Sequence, residues 1–140
     1  MCEADLDKVS QLEKECFSEP WSKKSFSESL VNSIYIMVVV QFGDEIIGYC
    51  ILRDCAGDGE ISNVAIEKEH RNKNIGTKML LFLMEEGAKR GILQYTLEVR
   101  KSNVSAIRLY EKLAFLEEGI RKDFYQYPTE DAIIMWKRTE

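Results

Sequence analysis

The 140-residue chain has a single histidine, His70, and its four cysteines, Cys2, Cys16, Cys50 and Cys55, include no Cys-x-x-Cys pair. That combination leaves no ligand set for a structural zinc. It gives no disulfide framework either. Cys50 and Cys55 are near enough in sequence to be oxidised together, but free thiols in a reducing cytosol are the expectation. No stretch approaches the ~18 apolar residues of a membrane-spanning helix. The longest apolar run, residues 34–40, has the length of a strand. The N-terminus, Met1-Cys2-Glu3-Ala4-Asp5, is acidic and polar, opposite in character to a secretory signal. Basic residues are not in excess: 19 Lys and Arg against 24 Asp and Glu give a net charge of −5. This argues against broad nucleic-acid binding and leaves a basic peptide admissible as a substrate. No internal repeat, low-complexity tract or linker interrupts the chain, so one domain over residues 1–140 is expected. With 45% hydrophobic and 31% charged residues the class is soluble globular, long enough to bury a core without cross-links.

Hydrophobic spacing divides the chain into helices and strands. Leu6, Val9, Leu12 and Phe17 predict a first helix, and residues 21–32 a second, capped by Ser22. Residues 35–41 and 46–53 read as strands joined at Phe42-Gly43-Asp44-Glu45, a hairpin turn by composition. Residues 54–59 read as a loop and 60–66 as a third strand. A long helix is expected over 71–90, with Ile75, Met79, Leu83 and Ala88 near one face and Gly91 closing it. Phe124-Tyr125 and residues 132–137 supply two last strands, read as a hairpin. A strand–helix–strand unit between hairpins implies a mixed α+β fold, its sheet flanked by helices on both faces.

The richest stretch runs from Gln94 to Leu113. Residues 94–99 alternate as a half-buried strand does, and the strand ends in Glu98-Val99-Arg100. Ser102 or Asn103 can cap the helix that follows, on which Ile107, Tyr110 and Leu113 recur at helical spacing. Glu98 and Tyr110 can then both face one cleft beyond the strand end, as candidate base and acid. Taken singly, Glu98 reads as well as a strand-end carboxylate paired with Arg100, and Tyr110 as a core aromatic. Their joint spacing about Ser102-Asn103 favours catalysis. A second segment, residues 66–77, passes from a strand through a polar loop, Arg71-Asn72-Lys73-Asn74-Ile75-Gly76, to a helix start near Ile75-Gly76. Free N–H groups at a helix start form an anion site, to which Arg71, Lys73 and Lys78 add positive charge. His70 lies in a charged loop and is read as solvated.

These segments resemble the GNAT acetyltransferases and, within them, the RimI branch. The resemblance rests on Glu98-Val99-Arg100, Ser102-Asn103, Ala106-Ile107-x-Leu109-Tyr110 and Phe115, with Ala114 where the family has glycine. Pro20-Trp21-Ser22 with Phe26, and Arg121 with Phe124-Tyr125 and Glu130-Asp131-Ala132-Ile133-Ile134-Met135, extend it over nearly the whole chain. It implies a GNAT fold with a mostly antiparallel, splayed central sheet, and acetyl-CoA as co-substrate with no metal. The family's pyrophosphate loop, Gln/Arg-x-x-Gly-x-Gly/Ala, is matched by Arg71-x-x-Asn74-x-Gly76. Asn74 replaces a glycine, and asparagine is among the few residues that tolerate positive φ. By this resemblance Asn72, Lys73, Asn74, Ile75, Gly76 and Thr77 hold the pyrophosphate. Val64, Ala65 and Ile66 pair with the pantetheine arm and offer an oxyanion N–H, and Asn103 adds a side-chain contact. Glu98 is the base and Tyr110 the acid. Trp21, read equally as a packing residue, borders the acceptor site, and Phe124, Tyr125 and Tyr127 are candidates for a peptide groove.

The implied activity is transfer of acetyl to a protein N-terminal α-amine, that of the N-terminal alanine of ribosomal protein S18, by a cytoplasmic monomer or weak dimer. Two alternatives are a GNAT acting on another terminus, a lysine or a small amine, and a non-catalytic CoA-binding module. The family's usual first strand is expected to be short or missing, because Asp5-Leu6 already reads as helix.

Overall fold

The structure, a computed structural model, describes residues 1–138. Six strands form one sheet in the order β1-β2-β3-β4-β6-β5, built from β1 (Tyr35–Phe42), β2 (Glu45–Cys55), β3 (Asp58–Ile66), β4 (Gln94–Arg100), β5 (Leu116–Tyr125) and β6 (Glu130–Lys137). All pairs are antiparallel except β3 with β4, which needs a crossover. That crossover is α3 (Ile75–Lys89); α1 (Leu6–Cys16), α2 (Lys23–Leu30) and α4 (Val104–Lys112) complete the helices.

Strand alternation sends side chains to both faces, and each face has its own core. Leu6, Val9, Leu12 and Phe26 of α1 and α2 cover Ile46, Tyr49, Ile51 and Ala65. On the other side, Met79, Leu80, Leu83 and Met84 of α3 and Tyr110 of α4 cover Cys50, Leu52, Ile61, Leu97 and Val99. The expected helices on both faces are thus present. All four cysteines are free, with Cys50 buried.

Some features differ from the sequence reading. Residues 54–59 are not a loop: β2 and β3 run on until Cys55 pairs with Asp58. Only Ala56 and Gly57 turn, at φ 54° and 94°, the positive pair that a two-residue hairpin requires. The long helix starts at Ile75, where the reading of residues 66–77 put it and not at Arg71, because Asn72 and Asn74 are left-handed. Its buried face uses Gly87 rather than the exposed Ala88, since a Cβ at Gly87 would stand 2.7 Å from the Tyr95 hydroxyl. Finally, β5 begins at Leu116, well before Phe124. Its charged, exposed residues carry no apolar signal, and it is defined by pairing to β6. Among the described residues no strand precedes α1, as expected. A short 3-10 turn leads into it, and the Met1 amine donates to Met37 O of β1 at 3.2 Å.

Candidate active site

Parallel pairing of β3 with β4 stops at Ile61↔Leu97. Just there β3 carries a bulge: Leu52 pairs with Ile61 and Ile51 with Asn63, leaving Ser62 as the extra residue. A bulge bends its strand and resets the side-chain alternation. Ile61 therefore enters the α3/α4 core while Asn63 reaches α1 on the opposite face. Beyond this point the strands part, and a cleft of about 1020 Å³ lies along the parting.

Both catalytic candidates line that cleft, from opposite faces of the sheet. Leu97 and Val99 point into the α3/α4 core, so Glu98 between them faces the α1/α2 side. Tyr110 is buried on the α3/α4 side, its ring 5.9 Å from Phe115. Burial pushes the Glu98 carboxyl above the usual range, with Arg121 pulling it back and Glu60 adding to the rise. Arg121 Nε stands 3.3 Å from Glu98 Oε2. Arg100 is not the partner of Glu98; it pairs with Glu130 at 3.1 Å. Burial pushes the Tyr110 hydroxyl far upward, so it stays protonated.

The polar loop lies at the other end of the cleft, on the α3 N-terminus. Asn74 adopts φ 62°, ψ 13° and makes no side-chain cap, so the first-turn N–H groups stay open to an anion. A Cβ at Gly76 would meet Leu109 at 3.1 Å, which fixes how closely α3 can approach α4. Asn72, Asn74, Ile75, Gly76, Thr77, Val64, Ala65, Ile66 and Asn103 all line the cleft, whereas Lys73 does not; it is exposed. Arg71 is turned back, its Nε donating to Ile66 O at 2.9 Å. Of the two candidate caps of α4, Asn103 serves, accepting from Ala106 N at 3.2 Å. Ser102 instead donates its N–H to Glu130 at 2.6 Å.

A model of the acetyltransferase (GNAT) family matches residues 6–115. The chain belongs to that family. The [ribosomal protein bS18]-alanine N-acetyltransferase of Escherichia coli (strain K12) is 33% identical over 135 residues, 94% of this chain and 89% of that protein. The crystal structure of the ribosomal-protein-S18-alanine N-acetyltransferase from Escherichia coli matches with a TM-score of 0.87 at 31% identity, over 97% of this chain and 88% of that one. A Thermoplasma acidophilum PaiA N-acetyltransferase in complex with coenzyme A shares the fold, with a TM-score of 0.83 at 21% identity over 99% and 96% of the two chains.

The loop before α3 has the means to hold an anion. Left-handed Asn72 and Asn74 turn the backbone without glycine, and the uncapped α3 N-terminus supplies donors. Of the aromatic residues of the β5–β6 hairpin, Phe124 and Tyr125 line the cleft, but Tyr127 does not and is 79% exposed. Trp21 lines the cleft and also packs on Phe26 at 5.3 Å. His70 is not simply solvated, since its ring lies against Phe42 at 6.0 Å and 3.9 Å from Glu67.

Three residues escaped the sequence reading as parts of the site. Arg100 donates to Ser18, Gln126 O, Pro128 O and Glu130 at 2.9–3.1 Å. It thereby ties the α1–α2 loop to the β5–β6 turn across the cleft mouth. Its place in the Glu98-Val99-Arg100 run was the available signal. Glu13 is buried on α1 and accepts from Trp21 N at 2.8 Å, from Asn63 Nδ2 at 3.0 Å and from the Tyr49 hydroxyl. Asn63 and Glu13 gave no signal, because their meeting depends on the bulge at Ser62.

Proposed function

We propose that this chain transfers the acetyl group of acetyl-CoA to a protein N-terminal α-amine, with the N-terminal alanine of ribosomal protein S18 as its acceptor in the cytoplasm. One observation carries the reading: Glu98 and Tyr110 bound a single cleft from opposite faces of the sheet, joined through the parting of β3 and β4. The acceptor then enters on the α1/α2 side, beside Glu98. Acetyl-CoA lies on the α3/α4 side, with residues 72–77 on its pyrophosphate and Val64, Ala65 and Ile66 along its arm. The name and substrate of the Escherichia coli relative support the choice of acceptor.

The chemistry suits an α-amine. Its pKa of ~7.7–8.0 leaves roughly a tenth neutral near pH 7, a cost of ~1 kcal/mol, whereas a lysine at ~10.4 costs several times that. A half-buried carboxylate suffices for the first. Glu98 takes the amine proton directly or through a water, and the Tyr110 hydroxyl protonates the departing thiolate.

Thiol release and peptide mass, followed on a panel of acceptors, test the proposal. The panel holds an S18 N-terminal peptide starting with alanine, an N-blocked lysine peptide and a small amine. A preference for the alanine terminus is expected. Preference for lysine or the small amine would move the acceptor class, and no turnover of any member, with CoA bound, would favour a binding module.

A further inference from the structure

Among the described residues, two buried side-chain oxygens lining the cleft make no hydrogen bond, Asn63 Oδ1 and Glu98 Oε2; Glu98 Oε2 has the Arg121 guanidinium 3.3 Å away as an ion-pair partner, whereas Asn63 Oδ1 has no partner. A buried acceptor without a partner is rare and calls for a cause, such as a ligand that supplies the donor. The orientation of the Asn63 amide is set from behind. Glu13, 1% exposed, receives the Tyr49 hydroxyl, the Trp21 N–H and Asn63 Nδ2. Three donors converging on one carboxylate leave the amide nitrogen as the only end of Asn63 that fits there. Its oxygen must turn away.

Asn63 is 4% exposed and lies on the same sheet face as Glu98. The two residues stand on neighbouring strands immediately past the last β3–β4 pair, Ile61↔Leu97, with bulged Ser62 making up the register. They therefore flank the parting through which the reaction must occur.

Resting on the proposed acyl transfer, we infer that Asn63 Oδ1 is the second hydrogen-bond acceptor for the attacking amine, with Glu13 as its positioning residue. A neutral primary amine carries two N–H groups beside its lone pair. The lone pair forms the C–N bond as the C–S bond breaks. One proton passes to Glu98 and one from Tyr110 to the thiolate sulfur. The other N–H donates to Asn63 throughout and is retained in the product amide. The pair of oxygens thus selects a primary amine and aims its lone pair at the parting.

The test compares a peptide beginning with alanine and the same peptide beginning with N-methylalanine, which has one N–H fewer. Parent, Asn63→Ala, Asn63→Ser and Glu13→Gln are assayed for kcat/KM, acetyl-CoA affinity and thermal unfolding. Asn63→Ala should lower kcat/KM on the alanine peptide about ten- to hundredfold, the worth of one hydrogen bond to a group that becomes charged. Acetyl-CoA affinity and the acidic limb of the pH profile should not move. The gap between primary and N-methyl acceptors should narrow. Asn63→Ser, which keeps an oxygen, should recover part of the loss, and Glu13→Gln should narrow the gap without removing Asn63. An unchanged ratio of the two acceptors in folded variants overturns the assignment, as does activity lost only in step with acetyl-CoA affinity. If the parent prefers lysine, the acceptor reading fails, and the same comparison with N-methyl-lysine still decides the role of Asn63.

Discussion

Asn74→Val isolates the backbone conformation on which the proposed pyrophosphate loop depends. Asn74 sits at φ 62°, ψ 13°, directly before the first turn of α3. An L-residue in this region costs ~1–2 kcal/mol, and asparagine pays less than most through its local polar contacts. Valine, branched at Cβ, bears the full cost or leaves the region. Its loss of the exposed Lys112 Nζ–Asn74 Oδ1 contact at 3.3 Å adds little. If valine stays left-handed, the fold loses ~1–2 kcal/mol, a fall in Tm of about 3–10 °C for a domain of this size. If the loop relaxes, stability returns but the N–H groups of residues 75–77 no longer converge. Restoring them on binding then weakens CoA by about 5–30-fold. Asn74→Gly should keep or tighten CoA affinity, with at most ~1 kcal/mol lost to the greater freedom of the unfolded chain. Thermal unfolding with and without CoA, together with titration calorimetry, separates the two routes. A valine variant equal to the parent in both Tm and CoA affinity refutes the reasoning.

Three further substitutions probe the chemistry. Glu98→Gln should lower turnover ~10²–10⁴-fold near neutral pH and recover partly at alkaline pH, where the amine deprotonates unaided; a flat deficit across the pH–rate profile would deny it the role of base. Tyr110→Phe should cut turnover at every pH while CoA still binds, and parental kcat would show that another group protonates the thiolate. Arg121→Ala removes the cation that opposes the upward push of burial on Glu98. A base works only when deprotonated, so a higher pKa makes activity fail sooner on acidification. The acidic limb of kcat/KM should therefore move to higher pH in this variant, and a limb that stays in place or moves down would contradict the pairing.

The strand–loop–helix from Gln94 to Lys112 was legible because its signals are local: alternation, a cap and helical spacing all fall within one short window. The left-handed Asn74 was legible for the same reason, since φ preference belongs to the residue itself. Strand β5 was not. Its residues from Glu117 to Lys122 are mostly charged and exposed, and only pairing with β6 makes them a strand. The placement of Glu98 and Tyr110 on opposite faces needed the sheet, because sequence spacing does not say which side of β4 a helix packs on. Glu13 and Asn63 were beyond reach for a different reason. Separated by fifty positions, they meet through a bulge that reverses the alternation of β3.

The central claim is that one cleft through the parted strands receives acetyl-CoA from the α3/α4 side and an amine from the α1/α2 side. A crystal structure with CoA covalently joined to the α-nitrogen of an alanine-starting peptide tests it most directly. The account predicts the pyrophosphate over residues 72–77, the arm along Val64, Ala65 and Ile66, the linking nitrogen beside Glu98 and the sulfur beside Tyr110. Density for both halves on one face of the sheet, or for the pyrophosphate away from the α3 N-terminus, would contradict it.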